Sequence, residues 1–182
     1  MITIMRKNRK SIRLKEYDYS QPGEYFITIC THNHECLFGE IIKEEMRLNE
    51  FGKIAEKLCK EIPEHFMTAQ LDEYVVMPNH IHGIIILCEH VGTRHAVSLQ
   101  KHERFGNPTH SSIPTIIRSF KSAVTKRINE MWHSPLSLFW QSKFYDRVIR
   151  NDKELNNVRD YIRNNILLWA FEKDDPDNLP LW

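Results

Sequence analysis

The sequence lacks long apolar runs, and it contains only 4 cysteines, none of them in a CxxC motif. Its apolar runs, such as Ile84 to Cys88, are far shorter than the roughly 20 residues that a membrane-spanning helix needs. The basic start, MITIMRKNRK, lacks the apolar stretch of a signal peptide, so we expect a soluble, cytoplasmic protein. The cysteines have no CxxC spacing and lie mostly in apolar surroundings, which favours reduced thiols over disulfides or a zinc cluster: Cys30, Cys36, Cys59 and Cys88.

Length and composition favour one folded domain with a basic side. The chain has 182 residues, of which 41% are hydrophobic and 27% charged, which suits a single domain with a sizeable core. Its net charge of +1 is unevenly distributed: residues 1–15 and 114–150 are rich in Lys and Arg, while acids collect near the C-terminus. Such segregation suits a protein that faces a polyanion, although ordinary surface charge is the simpler explanation. We expect a basic arm over 1–19, a domain over 20–170 and an acidic tail over 171–182.

The pattern of apolar and turn residues predicts a mixed α+β domain. Strands are expected at 23–33, 70–88 and 137–150, with a hairpin of two short strands over 36–49. Helices are expected at 49–66, at 113–132 and from the capping-box sequence at Asn151 to about Trp169. The stretch 89–112 reads as a long loop, and its irregularly spaced histidines favour a solvated loop over a metal site: His90, His95, His102 and His110. Without strict βαβ alternation, the sheet is expected to be mainly antiparallel with helices packed on it.

Two histidines lie one residue apart in the apolar stretch YVVMPNHIHGIIIL, from Tyr74 to Leu87. Side chains alternate faces along a strand, so His80 and His82 point to one face while Ile81 points to the other. Two neutral imidazoles on one face form half of a divalent-metal site. An isolated His-x-His pattern is equally compatible with strand histidines that bind nothing, so its context decides.

A second pair of polar residues follows in the last predicted helix. Its apolar stripe is formed by Leu155, Val158, Ile162, Ile166 and Trp169. Tyr161 and Asn165 lie four residues apart on an adjoining strip, where a phenol and a carboxamide face the same way. Taken alone, Tyr161 fits a tyrosine at the edge of a core, and its pairing with the histidine strand is what makes it a candidate.

These stretches together resemble the single-tyrosine transposases of the His-hydrophobe-His superfamily, in particular the REP-associated tyrosine transposases. The resemblance covers roughly residues 20–170 and is carried by four stretches in the order of that family: GEYFITICTHN, VVMPNHIHGIIIL, FWQSKFYDRVIRN and YIRNN. It implies a ferredoxin-like single domain over 20–170 that cleaves and rejoins single-stranded DNA at hairpin-bearing ends of REP-like or insertion-sequence elements. It also implies a homodimer.

The resemblance implies a role for each residue of the predicted site. His80, His82 and Asn165 would be ligands of Mg²⁺ or Mn²⁺, and Tyr161 the nucleophile that forms a 5′-phosphotyrosine. Members of the REP-associated branch usually have proline after the asparagine, whereas this chain has Ile166, which predicts a helix that continues past the site. Because of this departure, Asn164 is kept as an alternative ligand and Tyr145 as an alternative nucleophile.

Single-stranded DNA also requires positive charge for its backbone and aromatic faces for its bases. The candidates for these contacts are Arg118, Lys121, Lys126, Trp140, Lys143 and Tyr145. Phe139 and Phe144 of the same segment are more readily explained as core residues. Three other functions stay open: a nucleic-acid-binding protein of the same fold without turnover, a nickase that resembles replication initiators, and a metal-dependent hydrolase that uses water as its nucleophile.

Overall fold

The computed structural model describes residues 17–89, 111–132 and 138–172. Most of the predicted arm over 1–19, most of the predicted 89–112 loop with its four histidines, and most of the predicted tail over 171–182 lie outside these residues. The elements follow one another as β1 (Gly23–Cys30), β2 (Gly39–Ile42), β3 (Glu45–Leu48), α1 (Glu50–Lys60), α2 (Ile62–His65), β4 (Ala69–Val76), β5 (His80–Leu87), α3 (Ile113–Trp132), β6 (Tyr145–Ile149) and α4 (Asp152–Glu172).

The main sheet contains four strands in the order β4-β5-β1-β6, and every neighbouring pair is antiparallel. The strands come from two βαβ units, one with β1, α1 and β4 and the other with β5, α3 and β6. The units interleave, because β5 lies between β4 and β1, and β1 lies between β5 and β6. This is the ferredoxin-like arrangement, so the predicted α+β fold class is confirmed. The predicted hairpin over 36–49 is also confirmed, because β2 and β3 form a separate antiparallel pair.

The sheet separates two hydrophobic clusters. The larger cluster joins β1, β4 and β5 to α1 and α3, and Ile81, Ile85 and Leu87 supply the β5 contribution. The smaller cluster lies on the opposite face, where Phe26 and Ile84 of the sheet pack against Ile162 and other residues of α4. His80 and His82 share the face of Ile84, so the histidine pair lies beneath α4.

The start of α4 agrees with the capping signal in the sequence. The Asn151 side chain accepts a hydrogen bond from the Glu154 backbone N–H at 2.9 Å, and the Glu154 carboxylate accepts one from the Arg150 backbone N–H at 3.1 Å. The helix continues to Glu172, well past Asn165, as the missing proline predicts. Among the described residues, the structure contains no helix that is both long and apolar enough to cross a membrane.

Three predicted elements differ from the structure. The expected strand over 70–88 is two antiparallel strands, β4 and β5, with Met77, Pro78 and Asn79 between them. The expected strand over 137–150 is a strand only at Tyr145–Ile149, and Trp140 makes an isolated bridge to Thr31 instead. The expected helix over 49–66 is divided into α1 and α2 around Glu61, and Pro63, which has no backbone N–H to donate, lies in the first turn of α2.

Candidate active site

The two histidines of β5 lie side by side in the interior. Their ring centroids are 4.4 Å apart, and His80 and His82 are 2% and 1% exposed. Burial, which disfavours the charged imidazolium, lowers the pKa of His80 to about 3. Burial first and the neighbouring His80 second lower the pKa of His82 well below its usual range. Both rings are therefore neutral at pH 7, the form in which imidazole binds metal.

The Nδ1 atoms of both histidines have partners on neighbouring parts of the sheet. His80 Nδ1 lies 2.7 Å from the side-chain oxygen of Asn79, and His82 Nδ1 lies 2.8 Å from the Thr28 hydroxyl oxygen. Thr28 reaches His82 because β1 and β5 pair in a register that places the two residues opposite each other. These contacts leave the Nε2 atoms for other partners.

Tyr161 of α4 lies directly over His82. Its hydroxyl is 3.3 Å from His82 Nε2, and its ring makes an edge contact with Phe26 at a centroid distance of 6.1 Å. The side chain is 7% exposed. The structure thus brings a phenol hydroxyl and an imidazole nitrogen from residues 79 positions apart into contact.

Asn165 lies one helical turn after Tyr161 and is fully buried. Its amide lies beside His80 and raises the pKa of that ring, which partly offsets the lowering caused by burial. Neither Asn165 amide atom has a hydrogen-bond partner of acceptable geometry among the described residues. Asn164, the alternative ligand, is exposed and donates a hydrogen bond to the Asp160 carbonyl at 2.8 Å. The helix therefore directs Asn165, and not Asn164, to the histidines.

Trp169, one further turn along α4, completes the strip. Its ring lies 6.0 Å from the His80 ring between centroids, at an interplanar angle of 36°. The sequence assigned Trp169 to the apolar stripe of the helix, so its contact with His80 was missed. Because Trp169 follows Asn165 by four residues, the same spacing rule that grouped Tyr161 with Asn165 would have found it.

The polar atoms at the centre fit a divalent cation. His80 Nε2 and both Asn165 amide atoms are buried, and within ranges 17–89, 111–132 and 138–172 they have no hydrogen-bond partner. Buried polar groups rarely stay unpaired without a functional reason. No group of three or more His, Cys, Asp or Glu residues that could hold a metal is found among the described residues. A cation here would therefore take two imidazole nitrogens and a carboxamide oxygen.

Two of the residues predicted to contact DNA, Lys121 and Trp140, make hydrogen bonds within the protein, on the side of the sheet opposite to the histidines. Lys121 Nζ donates hydrogen bonds to the carbonyls of Gln141 and Lys143 at 2.8 and 2.9 Å, and burial lowers its pKa to about 8. Trp140 packs against the larger hydrophobic cluster, and its indole N–H donates to the Lys121 carbonyl at 3.1 Å. Phe139 is buried, as predicted.

The other four DNA-contact candidates are three cations and one tyrosine. Arg118, Lys126 and Lys143 are exposed, and Lys126 lies 3.9 Å from Glu130. Tyr145 is half-buried on β6, opposite Thr28 in the register of the sheet. Tyr145 therefore shares the face of the histidines.

A cavity with a volume of about 590 Å³ lies away from the histidines, between α1 and α3. Its charged lining residues form ion pairs with one another, including Lys53 with Glu50 and Lys57 with Glu61. The histidine site is instead closed by Tyr161, Asn165 and Trp169. The cavity therefore has no bearing on the chemistry of the site.

Comparison with known proteins identifies the fold and one close relative. No family model matches the chain. A solved REP-associated tyrosine transposase bound to a REP hairpin superposes with a TM-score of 0.60 and 19% identity, over 90% of this chain and 79% of that one. A bacterial tRNA(His) guanylyltransferase (Thg1)-like protein in complex with GTP superposes with a TM-score of 0.50 and 13% identity, over 94% and 76%. At these identities the likeness concerns the fold, which hosts different activities.

Sequence comparison gives a nearer match. An uncharacterized protein of Haemophilus influenzae (strain Rd) is 40% identical over 164 residues, which span 89% of this chain and 90% of that protein. The match extends over almost the whole of both chains. The chain belongs to the same family as this Haemophilus influenzae protein, and its fold is that of the REP-associated tyrosine transposase.

Proposed function

We propose that this protein is a DNA transposase that cleaves and rejoins single-stranded DNA through Tyr161. The observation that carries the proposal is the meeting of Tyr161, His80, His82 and Asn165 at one buried point beneath α4. The solved protein with the same fold is a transposase bound to a REP hairpin, which supports a hairpin-bearing single strand as the substrate. With DNA as its substrate, the protein would act in the cytoplasm.

In this proposal Mg²⁺ or Mn²⁺ is held by His80 Nε2, His82 Nε2 and the Asn165 side-chain oxygen. The unpaired buried atoms of His80 and Asn165 support these assignments. When bound, the cation supplies charge neutralisation at the nonbridging phosphate oxygens and orients the phosphorus for attack. Nitrogen and oxygen ligands with open positions suit these metals better than a closed structural zinc site does.

The chain itself supplies the nucleophile. The Tyr161 oxygen attacks the phosphorus, the bond between phosphorus and the 3′ oxygen breaks, and the departing 3′ oxygen takes up a proton. The product is a 5′-phosphotyrosine, which keeps the energy of the phosphodiester and allows a second 3′-hydroxyl to reverse the step on another strand. A free phenol has a pKa of about 10, so the Tyr161 hydroxyl must lose its proton as it attacks, and the proton taken up by the 3′ oxygen balances this loss.

Nε2 of His82 has one lone pair, which serves one partner at a time. In the structure, the atom that contacts His82 Nε2 is the Tyr161 hydroxyl oxygen. Tyr161 must therefore leave His82 before this nitrogen binds a cation.

The substrate must also reach a buried centre. Tyr161 is 7% exposed and the histidines less, so α4 has to move relative to the sheet before a phosphodiester enters. Two ion pairs between α4 and β4 hold the closed position: Arg159 with Asp72, and Arg163 with Glu73. We also propose that the protein is a homodimer.

A covalent-adduct assay tests the proposal. Purified protein is incubated with labelled single-stranded oligonucleotides from the ends flanking its own gene, with Mn²⁺, Mg²⁺ or chelator, and run on a denaturing gel. We expect a metal-dependent shifted band that is absent in Tyr161→Phe and His80→Ala. Tyr145→Phe is the matched control, because it removes the hydroxyl of the other tyrosine on the same face of the sheet.

Each other result supports a different function. Cleavage without an adduct that persists in Tyr161→Phe would indicate a nuclease that uses water, and an adduct lost in Tyr145→Phe alone would reassign the nucleophile. Binding of the hairpin without cleavage of any end would support a binding protein without turnover. An adduct formed on plasmid origins and not on the flanking ends would support a nickase of the replication-initiator type.

A further inference from the structure

The hydrogen bonds of Asn79 determine which nitrogen of His80 carries the proton. The Asn79 side-chain nitrogen donates to the His34 backbone carbonyl at 3.2 Å, and a carbonyl can only accept. The amide is therefore oriented with its oxygen toward His80 Nδ1, at 2.7 Å. An amide oxygen also only accepts, so Nδ1 must be the protonated nitrogen. The lone pair of the neutral ring is then on Nε2.

A tight turn supports this orientation. Asn33 and His34 both have left-handed backbone conformations, with φ of 51° and 56°, which non-glycine residues adopt only when surrounding contacts hold them there. The turn is tied to Asn79 by a second hydrogen bond, from the Thr31 backbone N–H to the Asn79 carbonyl at 2.9 Å. Both ends of Asn79 are thus held by residues 31–34, and its amide can turn over only by breaking a contact.

His82 has no comparable restriction. Its Nδ1 partner is the Thr28 hydroxyl and its Nε2 partner is the Tyr161 hydroxyl, and a hydroxyl can donate or accept. The proton on His82 can therefore move between its two nitrogens as its partners rotate. Of the two rings, only His80 has a fixed tautomer, because the Asn79 oxygen beside its Nδ1 can accept a hydrogen bond but cannot donate one.

We propose that Asn79 is a positioning residue that holds His80 as the Nδ1–H tautomer and so presents the Nε2 lone pair to a divalent cation. This inference rests on the metal site of the proposed function and adds a residue to it. Residues that orient a metal-binding histidine through its second nitrogen commonly change metal affinity by about 10- to 100-fold when they are replaced. Asn79 acts through His80 and does not itself contact the metal.

The first test measures the tautomer without metal or DNA. Long-range ¹H–¹⁵N correlation spectra of the metal-free, ¹⁵N-histidine-labelled protein distinguish Nδ1–H from Nε2–H rings, and His80→Gln identifies the His80 signals. We expect the Nδ1–H form in the unaltered protein and in Asn79→Asp, whose carboxylate still accepts from Nδ1. Asn79→Leu, which removes the acceptor, is expected to shift His80 toward the Nε2–H form. An Nε2–H ring in the unaltered protein would overturn the proposal.

The second test measures Mn²⁺ affinity by calorimetry in the same variants. Asn79→Leu is expected to bind Mn²⁺ about 10- to 100-fold more weakly, whereas Asn79→Asp should restore most of the affinity. Asn156→Leu, the same chemical change at an exposed position of α4, is the control and should change neither measurement. Equal tautomers and equal affinities in Asn79→Leu and the unaltered protein would contradict the proposal.

The two proposals fail in different ways. If the unaltered protein binds no Mn²⁺, the metal part of both is wrong. If Mn²⁺ binding and the tautomer behave as expected but no adduct with Tyr161 forms, only the proposed DNA chemistry is wrong. If Asn79→Leu does not fold, Asn79→Asp and the tautomer of the unaltered protein still decide the question.

Discussion

The Tyr161 hydroxyl lies 3.3 Å from Nε2 of His82, so the proposed nucleophile occupies a nitrogen that the proposed metal also needs. Both groups are buried, and the contact joins α4 to the central strand β5. Since one lone pair cannot serve both, binding of a cation and the hydrogen bond to Tyr161 exclude each other at this atom. Competition of this kind can be measured without any DNA.

Tyr161→Phe is expected to bind Mn²⁺ about fivefold more tightly than the unaltered protein. The substitution removes a hydrogen bond of about 1 kcal/mol that the metal must otherwise break, and about 1.4 kcal/mol corresponds to tenfold in affinity. Calorimetric titration with Mn²⁺ measures the change, with Tyr145→Phe as the control. Weaker binding by Tyr161→Phe would mean that the hydroxyl helps to hold the metal and does not compete with it.

Asn165→Leu is expected to stabilise the metal-free protein while weakening its metal binding. The Asn165 amide is fully buried with no hydrogen-bond partner in the described part of the chain, a situation that costs about 1 to 3 kcal/mol, and leucine has the same branched arrangement of side-chain heavy atoms without polar groups. Urea unfolding without metal gives the stability, and Mn²⁺ titration gives the affinity. Asn164→Leu, at the exposed neighbouring position, should leave the affinity unchanged. A loss of stability in Asn165→Leu would show that its amide has a partner in solution.

Arg159→Met is expected to loosen α4 from the sheet. The Arg159 guanidinium donates to the Asp72 carboxylate at 2.7 Å across the junction of α4 and β4, a partly exposed ion pair that we estimate at about 1 kcal/mol or less. Hydrogen exchange should become faster in α4 and stay unchanged in β1, and added salt should reduce the difference from the unaltered protein. Lys126→Met, which removes a pair within α3, should not affect α4. Equal acceleration in β1 would indicate a general loss of stability instead.

The lowered pKa of Lys121 predicts that the stability of the protein depends on pH. Burial lowers its pKa to about 8, compared with about 10.4 in an unfolded chain. Between these values the unfolded protein binds more protons than the folded protein, so the Lys121 contribution to the free energy of unfolding rises with pH. The uncharged amine still has hydrogens to donate to the Gln141 and Lys143 carbonyls.

Urea unfolding at pH 7 to 10 of the unaltered protein and Lys121→Met measures this effect. We expect the difference in unfolding free energy, unaltered minus Lys121→Met, to increase as pH rises above about 8. Lys126→Met, at an exposed position of α3, is the control substitution. A constant difference for Lys121→Met would show that the ammonium group is as well solvated in the folded state as in the unfolded state.

Local spacing allowed much of the site to be predicted. The alternation of a strand places His80 and His82 on one face, and the i, i+4 spacing of a helix aligns Tyr161 with Asn165. Both rules act within a few residues, so they hold whatever the rest of the chain does. The same is true of the helix start at Asn151 and of its continuation past Asn165.

Contacts between distant segments could not be predicted in the same way. Thr28 reaches His82 only through the register of β1 against β5, across 54 positions of sequence. The local sequence around Trp140 is compatible both with packing in a core and with stacking on a base. The fold places Trp140 against the larger hydrophobic cluster. Asn79 is adjacent to His80, yet its orientation depends on the His34 carbonyl, 45 positions away.

The continuation of α4 beyond Asn165 combines the attacking group and the cover of the site in one rigid element. Tyr161 lies near one end of the strip and Trp169 at the other, against His82 and His80. A displacement of this helix that uncovers His80 also withdraws Tyr161 from His82. If Tyr161 is the nucleophile, as we propose, entry of DNA and attack by Tyr161 would then alternate, and the helix would have to return after the strand has entered.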